Sequence, residues 1–442
     1  MATIVMKFGG TSVQNAERIR RAASIVAESA TSHIVVVVVS ALAKTTDDIL
    51  ECMHAAASGQ ERRFRQILEN LDRRHHGLIS ELLPETGGDA PHAEITKLLE
   101  ELERFCQALF QLRSLTPQLL DVALPVGEKM SAHIFTAVLR QLGLNSSFTD
   151  SSDIIVTDDR FGDASVNMEA SWIKTQDQLR PVLDVGTIPV ITGYSGSTQK
   201  GQPTTLGRGG SDTTATVLGS LLQADEIWIW TDVDGVLTAD PRVCSGARVL
   251  REITFAEAIE LSYYGAKVIH HKAVHPARES QIPVWIKNSF NPAFPGTKIT
   301  VNSTVKNGPI KAVTAMAKTN LITVAGRHGL YVPADILGRL FMKLGHERVD
   351  ILFSTQSSAE SSLGLMIREE DTDRVVAAIE HIFRAELKQG IIKAINVERN
   401  LSVIAVLGER MKGIPAILGR LFSAVSKCDV NVIAAAQGAT EM

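Results

Sequence analysis

The sequence predicts an α/β protein: a mainly parallel sheet sandwiched by helices, followed by two smaller modules that each begin βαβ. Two observations carry this reading. Three segments, Val35–Val39, Ile188–Thr192 and Ile227–Thr231, are almost continuously apolar and alternate with helical stretches, as strands do when helices cover both faces of a sheet. The hexapeptide ILGRLF then occurs at 336–341 and again at 417–422, 81 residues apart, which marks a repeated unit.

Taken in order, IVMKF (4–8) reads as a strand, Gln14 to Glu28 as a helix and HIVVVVVS (33–40) as a second strand, with another helix after Thr46. Charges and leucines at helical spacing from Glu61 to Leu112 read as a helical insertion. Its DRRHH cluster reads as a solvated helix face rather than an anion site. Pro and Gly gather at 288–311, where the long helices stop. The expected domains are 1–295, 312–390 and 391–442, the last incomplete. Around ILGRLF the two copies share further landmarks: Val349-Asp350-Ile351 with Val430-Asn431-Val432, Asn320-Leu321 with Asn400-Leu401, Gln356 with Gln437 and Glu360 with Glu441. Each copy is expected to run from a strand (LITVAG, LSVIAVLG) through the ILGRLF helix to a returning strand (VDILFST, VNVIAAA).

The 442 residues suffice for two to four domains. With 45% apolar and 21% charged residues, the chain is expected to fold throughout. A formal charge of −4 offers no general attraction to nucleic acid or an anionic membrane. Cys52, Cys106, Cys244 and Cys428 form no CxxC pair, so neither a zinc site nor a disulfide framework is expected. The longest apolar run, Ile34–Val39, is far short of a membrane span, and Met1 leads directly into a strand pattern. A cytoplasmic location is expected.

Three stretches carry most of the chemistry. Lys7-Phe8-Gly9-Gly10-Thr11-Ser12 joins a strand end to a helix start, where glycines admit phosphate oxygens, helix N–H groups point at them and Lys7 adds charge. The spacing is neither GxxxxGK[ST] nor GxGxxG. The plainer reading is a turn using glycine for positive φ and Ser or Thr as a cap. In TLGRGGSDTTA (205–215), Arg208 can grip a carboxylate, Ser211 can donate, and Asp212 can orient a metal-bound water or an amine. A helix cap by Ser211 or Asp212 is the plainer alternative. IWIWTDVDGVLTADPR (227–242) ends a strand at Thr231-Asp232, where α/β sheets bind ligands, so Thr231, Asp232 and Arg242 are candidate nucleotide contacts. Asp234-Gly235 and Asp240-Pro241 read as turns. Glu128 in VGEKMSA, at a helix start, and Lys267 in YYGAKVIHH are weaker candidates by themselves.

Together with VSALAKTTD, TDDRFG and IPVWIKN, these blocks in this order resemble the aspartokinases of the amino-acid-kinase fold along the whole chain, and the repeat resembles their paired ACT regulatory modules. The resemblance implies ATP-dependent phosphorylation of the β-carboxylate of L-aspartate, the first step toward lysine, threonine and methionine, with amino-acid feedback through the ACT modules. It implies that Lys7, Phe8, Gly9 and Gly10 cradle ATP phosphates, while Thr231, Asp232, Leu237, Arg242, Lys267 and Val268 contact the nucleotide. Thr46, Glu128, Arg208 and Ser211 would hold aspartate, Glu128 pairing its ammonium and Arg208 its α-carboxylate. Lys7, Asp212 and Lys267 would be catalytic, with Mg²⁺ held mainly through the nucleotide phosphates rather than by a protein metal site.

A lysine or threonine effector would lie near Val349, Asp350 and Gln356, with Asn431 and Val432 the second-copy equivalents, and a homodimer would join through the regulatory modules. An incomplete second copy would leave a strand edge open and weaken the effector response. Leu237 stands where many relatives have Tyr, and His271 where they usually have Pro. The competing readings are another amino-acid kinase, for glutamate, N-acetylglutamate or UMP; a noncatalytic ACT-type sensor; and the kinase portion of a bifunctional kinase and homoserine dehydrogenase.

Overall fold

A computed structural model describes residues 1–84, 88–266, 269–303, 310–326, 334–347, 349–357, 362–408, 411 and 417–436. The chain divides into two compact units, Met1–Val236 with Val249–Ile259 and Lys267–Val305, and Leu237–Arg248 with Glu260–Ala266 and Lys306–Met442.

The first unit is built around β1 (Ala2–Phe8), which pairs in parallel with β2 (His33–Val39) and with β8 (Glu226–Thr231). The other strands in chain order are β3 (Ser146–Thr149), β4 (Val156–Thr157), β5 (Ile188–Thr192), β6 (Ser195–Thr198), β7 (Pro203–Thr205), β9 (Glu252–Thr254), β10 (Val284–Asn288) and β11 (Thr297–Thr300). Eight strands form one sheet in the order β3-β5-β2-β1-β8-β10-β11-β9, parallel except where β10 meets β11. β4, β6 and β7 form a small separate sheet. Val35 to Val39 are all buried, consistent with helices on both faces of their strand. The fold class and the strands expected at 4–8, 33–40, 188–192 and 227–231 are therefore present.

The first long helix, Ala16–Ala30, starts two residues later than expected and is capped by Asn15, whose side chain accepts from the Arg18 amide at 3.0 Å. Thr11 and Ser12 thus do not cap it. The insertion forms two long helices, Glu61–Leu82 and Asp89–Leu112, packed into the main core through Phe64, Leu71, Ile95 and Leu102. Its DRRHH cluster is a solvated face only in part, with Asp72 and Arg73 exposed. His75 is fully buried, its Nδ1 2.7 Å from the Leu71 carbonyl, and Arg74 turns inward to donate to the Ala43 carbonyl at 2.8 Å. Among the described residues no helix is long and apolar enough to cross a membrane.

In the second unit, β12 (Ala312–Gly326), β13 (Phe353–Ser357), β14 (Ser362–Arg368) and β15 (Ile392–Leu407) form an antiparallel sheet in the order β13-β14-β12-β15. The start is βαβ, since β12 and β13 both run antiparallel to β14 and are linked by the helix Ala334–His346. β15 is long because it serves two purposes: its first half pairs with Leu321–Gly326, and its second half, the start of the second copy, pairs with Ala312–Met316. The second ILGRLF lies in the helix Ile417–Ser426 as expected, but Val430–Ala436 forms no strand. A strand exists only through pairing, and no described strand lies beside it. Glu360, Gln437 and Glu441 lie outside the described residues.

Candidate active site

The candidate site lies in the first unit, where β1 ends. Lys7 is the penultimate residue of β1 and only 9% exposed, and its Nζ sits 2.5 Å from Asp212 Oδ1. Asp212 is in the first turn of the helix Gly210–Leu222, which Gly209 caps with φ +75°. Neither Ser211 nor Asp212 serves as its cap. At Gly209 a Cβ would stand 2.3 Å from the Cβ of His270, so both conformation and space demand glycine there.

Neither Gly9 nor Gly10 adopts positive φ; Gly10 is needed for close approach, whereas a Cβ on Gly9 would stand 3.6 Å from Lys7 Nζ and the Trp230 carbonyl oxygen, an ordinary contact. A Cβ on Gly10 would come within 2.9 Å of the Ala41 carbonyl oxygen, and the Gly10 carbonyl accepts from the Ala43 amide at 3.2 Å. The Gly9 amide donates to Trp230 at the end of β8 at 3.1 Å, and the Ser12 and Ser289 hydroxyls lie 2.8 Å apart. The turn after β1 is thereby pinned to the ends of β8 and β10.

Segment 41–45 continues into the helix Thr45–Ala57, which carries half-buried Thr46. Its other side meets Gly127, where a Cβ would lie 2.9 Å from Ala41 Cβ and 3.0 Å from Thr45 Cγ2. Gly127 stands in the first turn of the helix Val126–Gln141, next to Glu128. Glu128 is 4% exposed and its Oε2 has no hydrogen-bond partner. Burial pushes its carboxyl up to about 8, against the opposing effects of the Ala41 amide and the Lys7 charge. Three helices therefore begin around the Lys7–Asp212 pair, at Thr45, Val126 and Gly210. Helix N-termini favour anions, and a buried carboxylate with an unused oxygen suits a cation.

Arg208 is exposed, ahead of Gly209. Ser211 packs on Gly193, where a Cβ would lie 2.5 Å from the Ser211 Cβ and Oγ. Thr231 Oγ1 donates to Asp232 Oδ1 at 3.3 Å, and Asp232 is exposed. Asp234, read as a turn residue, accepts from Asn288 at 2.8 Å and Asn291 at 3.2 Å, which holds the loop after β8. Leu237 and Arg242 belong to the second unit, Arg242 pairing with Asp240 at 2.6 Å. Lys267 and Val268 lie outside the described residues. In the second unit Val349 is buried in the core, while Asp350, Gln356, Asn431 and Val432 are exposed.

Two residues escaped the sequence reading. Arg74 Nη1 reaches Thr45 Oγ1 at 3.4 Å while its Nη2 bonds Ala43, so it fixes the segment leading to Thr46. Tyr194 has left-handed φ +77° and packs where a Cβ on Gly210 would meet its Cδ2 at 2.6 Å. Burial raises its phenol to about 12, opposed by a hydrogen bond with Thr205 and reinforced by the Glu128 charge. A cavity of about 210 Å³ lined by residues including Leu98, Phe105, Asp121 and Lys129 contains none of Lys7, Glu128, Arg208 or Asp212, so the candidate site rests on side-chain geometry instead.

Residues 2–288 match the model of the amino acid kinase family. The chain is 33% identical to the chloroplastic aspartokinase 3 of Arabidopsis thaliana, over 100% of this chain and 78% of that protein. The chain belongs to the aspartokinases of the amino acid kinase family. It is also similar to the chloroplastic bifunctional aspartokinase/homoserine dehydrogenase 1 of A. thaliana, at 31% identity over 99% of this chain and 48% of that protein. The chain thus spans about half the length of the first curated relatives it matches. Among solved structures, E. coli aspartokinase III in complex with aspartate and ADP superposes with a TM-score of 0.85 at 29% identity, covering 99% of this chain and 94% of that one.

Proposed function

We propose that this chain binds L-aspartate and ATP and transfers the γ-phosphoryl group to the β-carboxylate of aspartate. The observation that carries the reading is the Lys7–Asp212 pair beside a buried Glu128 with one carboxylate oxygen unused. Support comes from the aspartokinase relatives and from the aspartate and ADP bound by the E. coli structure.

In this reading Glu128 receives the substrate ammonium, Arg208 the α-carboxylate, and Thr46 and Ser211 donate hydroxyl hydrogen bonds. The turn at Gly9 and Gly10 lies against the nucleotide phosphates, with Thr231 and Asp232 on the nucleotide side. The β-carboxylate has an ordinary pKa of about 3.9, so it is ionised at neutral pH and needs no general base. One of its oxygens forms the bond to the γ-phosphorus as the bond to the β,γ-bridging oxygen breaks, giving 4-phospho-L-aspartate and ADP. Lys7, and Lys267 with it, neutralise charge on the phosphoryl group in transit. In this reading Mg²⁺ is carried mainly by the nucleotide phosphates, with Asp212 near it. Mg²⁺ would supply charge neutralisation at the β- and γ-phosphates.

The second unit, with its repeated ILGRLF helices, is proposed to bind a lysine or threonine effector around Asp350 and Gln356 and to join two copies of the chain. Four free cysteines suit a reducing, cytoplasmic setting. Incubation with ATP, Mg²⁺, aspartate and hydroxylamine tests the activity: aspartyl hydroxamate is expected, and its absence when ADP is also not formed contradicts the reading.

A further inference from the structure

Asp121, on the helix Pro117–Ala123, is a fully buried carboxylate with both oxygens engaged. Oδ1 accepts from the Thr205 hydroxyl at 2.6 Å and Oδ2 from the Gly162 amide at 2.8 Å. Burial pushes the Asp121 carboxyl up, and these two hydrogen bonds oppose that by favouring its ionised form. The two donors lie on separate segments that converge ahead of Arg208. Thr205 ends β7 and also hydrogen-bonds the phenol of Tyr194, the residue packed on Gly210. Gly162 belongs to the TDDRFG block, which closes on the same stretch. The Ala164 amide donates to the Thr205 carbonyl at 2.9 Å, and a Cβ on Gly207 would stand 2.5 Å from Asp163 Oδ1 and 3.2 Å from the Gly162 carbonyl oxygen. Lys272 pairs with Asp163 at 2.5 Å and anchors the block from the other side. Asp121 is equally tied to Glu128. Only Leu124 and Pro125 separate its helix from Val126–Gln141, and the hydrogen bonds Leu124 to Leu120, at 2.9 Å, and Lys129 to Pro125, at 3.1 Å, carry the helical path across them.

We propose that Asp121 is a positioning residue that fixes the spacing between Glu128 and Arg208, and so fits them to the ammonium and α-carboxylate of an amino-acid substrate. The inference rests on the proposed roles of those two residues. One end of the clamp rides on the helical path that carries Asp121; the other follows the segment that Asp121 holds through Thr205 and, by way of Gly162, through the TDDRFG block. A carboxylate suits this task because it accepts two charge-assisted hydrogen bonds at a fixed separation. Asparagine has a single acceptor oxygen and can keep one of the two bonds unchanged. Alanine keeps neither, and leaves the buried Thr205 hydroxyl without its acceptor. Because Asp121 acts through the segments that bear Glu128 and Arg208, its loss alters the fit of the substrate before and during transfer alike. The effect belongs in KM rather than in kcat.

Steady-state kinetics and calorimetric aspartate binding with the full chain test this in Asp121→Ala, Asp121→Asn, Thr205→Val and the double variant Asp121→Ala/Thr205→Val. Asp121→Ala should raise the aspartate KM and Kd roughly tenfold or more, with kcat and the ATP KM held within about threefold of wild type. Asp121→Asn should recover part of the aspartate affinity. Thr205→Val should shift the aspartate KM in the same direction, and the double variant should be little worse than Asp121→Ala alone, because both changes remove the same hydrogen bond. Thermal melting checks that each variant is folded, and Thr205→Val carries the test if Asp121→Ala is not. An unchanged aspartate KM in the folded variants, a kcat that falls as far as KM rises, or fully additive effects in the double variant overturns the proposal. Wild type that binds no aspartate would instead contradict the proposed function itself, whereas wild type and variants that bind it equally well contradict only the role of Asp121.

Discussion

Asp212 Oδ1 lies 2.5 Å from Lys7 Nζ, joining the end of β1 to the first turn of the helix Gly210–Leu222. The pair is nearly buried, with side-chain exposures of 11% and 14%. It holds the lysine where the phosphoryl group is proposed to pass. Lys7→Ala should therefore lower kcat for aspartyl phosphate formation by roughly 10²-fold or more, with a much smaller change in the aspartate KM, because the charge matters most in the transition state. Steady-state kinetics with a folded variant checks this; unchanged turnover contradicts the assigned role.

Glu128 should make aspartate binding pH-dependent. With its carboxyl pushed up to about 8 by burial, the free protein carries it largely protonated at neutral pH, and pairing with the substrate ammonium requires it to ionise. The apparent affinity for aspartate should rise with pH and level off above about 8, and Glu128→Gln should bind weakly with that dependence lost.

Stability should move the opposite way. Between the ordinary glutamate range and about 8, the folded chain keeps a proton on Glu128 that the unfolded chain has released. Its contribution is therefore fully present at low pH and is lost as pH rises through about 8. Glu128→Gln lacks this loss, so its Tm relative to wild type should increase between pH 5 and pH 8.5. A Tm difference independent of pH would show that the buried carboxyl is not perturbed as described.

Much of this cluster is legible in the sequence because its signals are local. Lys7, Gly9, Gly10, Arg208 and Asp212 sit at junctions of strand and helix patterns, and strand ends bearing glycines are readable from a few residues. What the glycines do is not. Gly10 is required by the Ala41 carbonyl, a neighbour over thirty residues away, whereas the local reading assigns it a turn conformation. Arg74 and His75 were hidden within a charged run, although Leu71, His75, Leu78, Ile79 and Leu82 share the buried stripe of one helix, a spacing that could have revealed His75. The expected strand at 430–436 depends on a partner strand, which local residue preferences do not encode.

Gly10→Ala follows from that packing. The added methyl would stand 2.9 Å from a backbone oxygen held by the same turn. The variant should lose about 1–3 kcal/mol of stability and most of its activity, measured by denaturant unfolding and initial rates. Wild-type behaviour in both would mean that the turn after β1 has more room than described.

Removing Arg74 tests positioning from outside the pocket. Arg74→Ala deletes the hydrogen bonds to Ala43 and Thr45 and should cost about 1–3 kcal/mol, while raising the aspartate KM more than it lowers kcat. Arg74→Lys should recover part of the KM effect. Equal loss in kcat and kcat/KM would instead place Arg74 in the transition state.

The most direct measurement is hydroxylamine trapping of the product formed from aspartate, ATP and Mg²⁺, with glutamate, N-acetylglutamate and UMP as parallel acceptors. Aspartyl hydroxamate should form with ADP in a 1:1 ratio and fall sharply in Lys7→Ala, while the other acceptors give little ADP. Phosphorylation of another acceptor in preference to aspartate, or aspartyl hydroxamate undiminished in Lys7→Ala, would contradict the account.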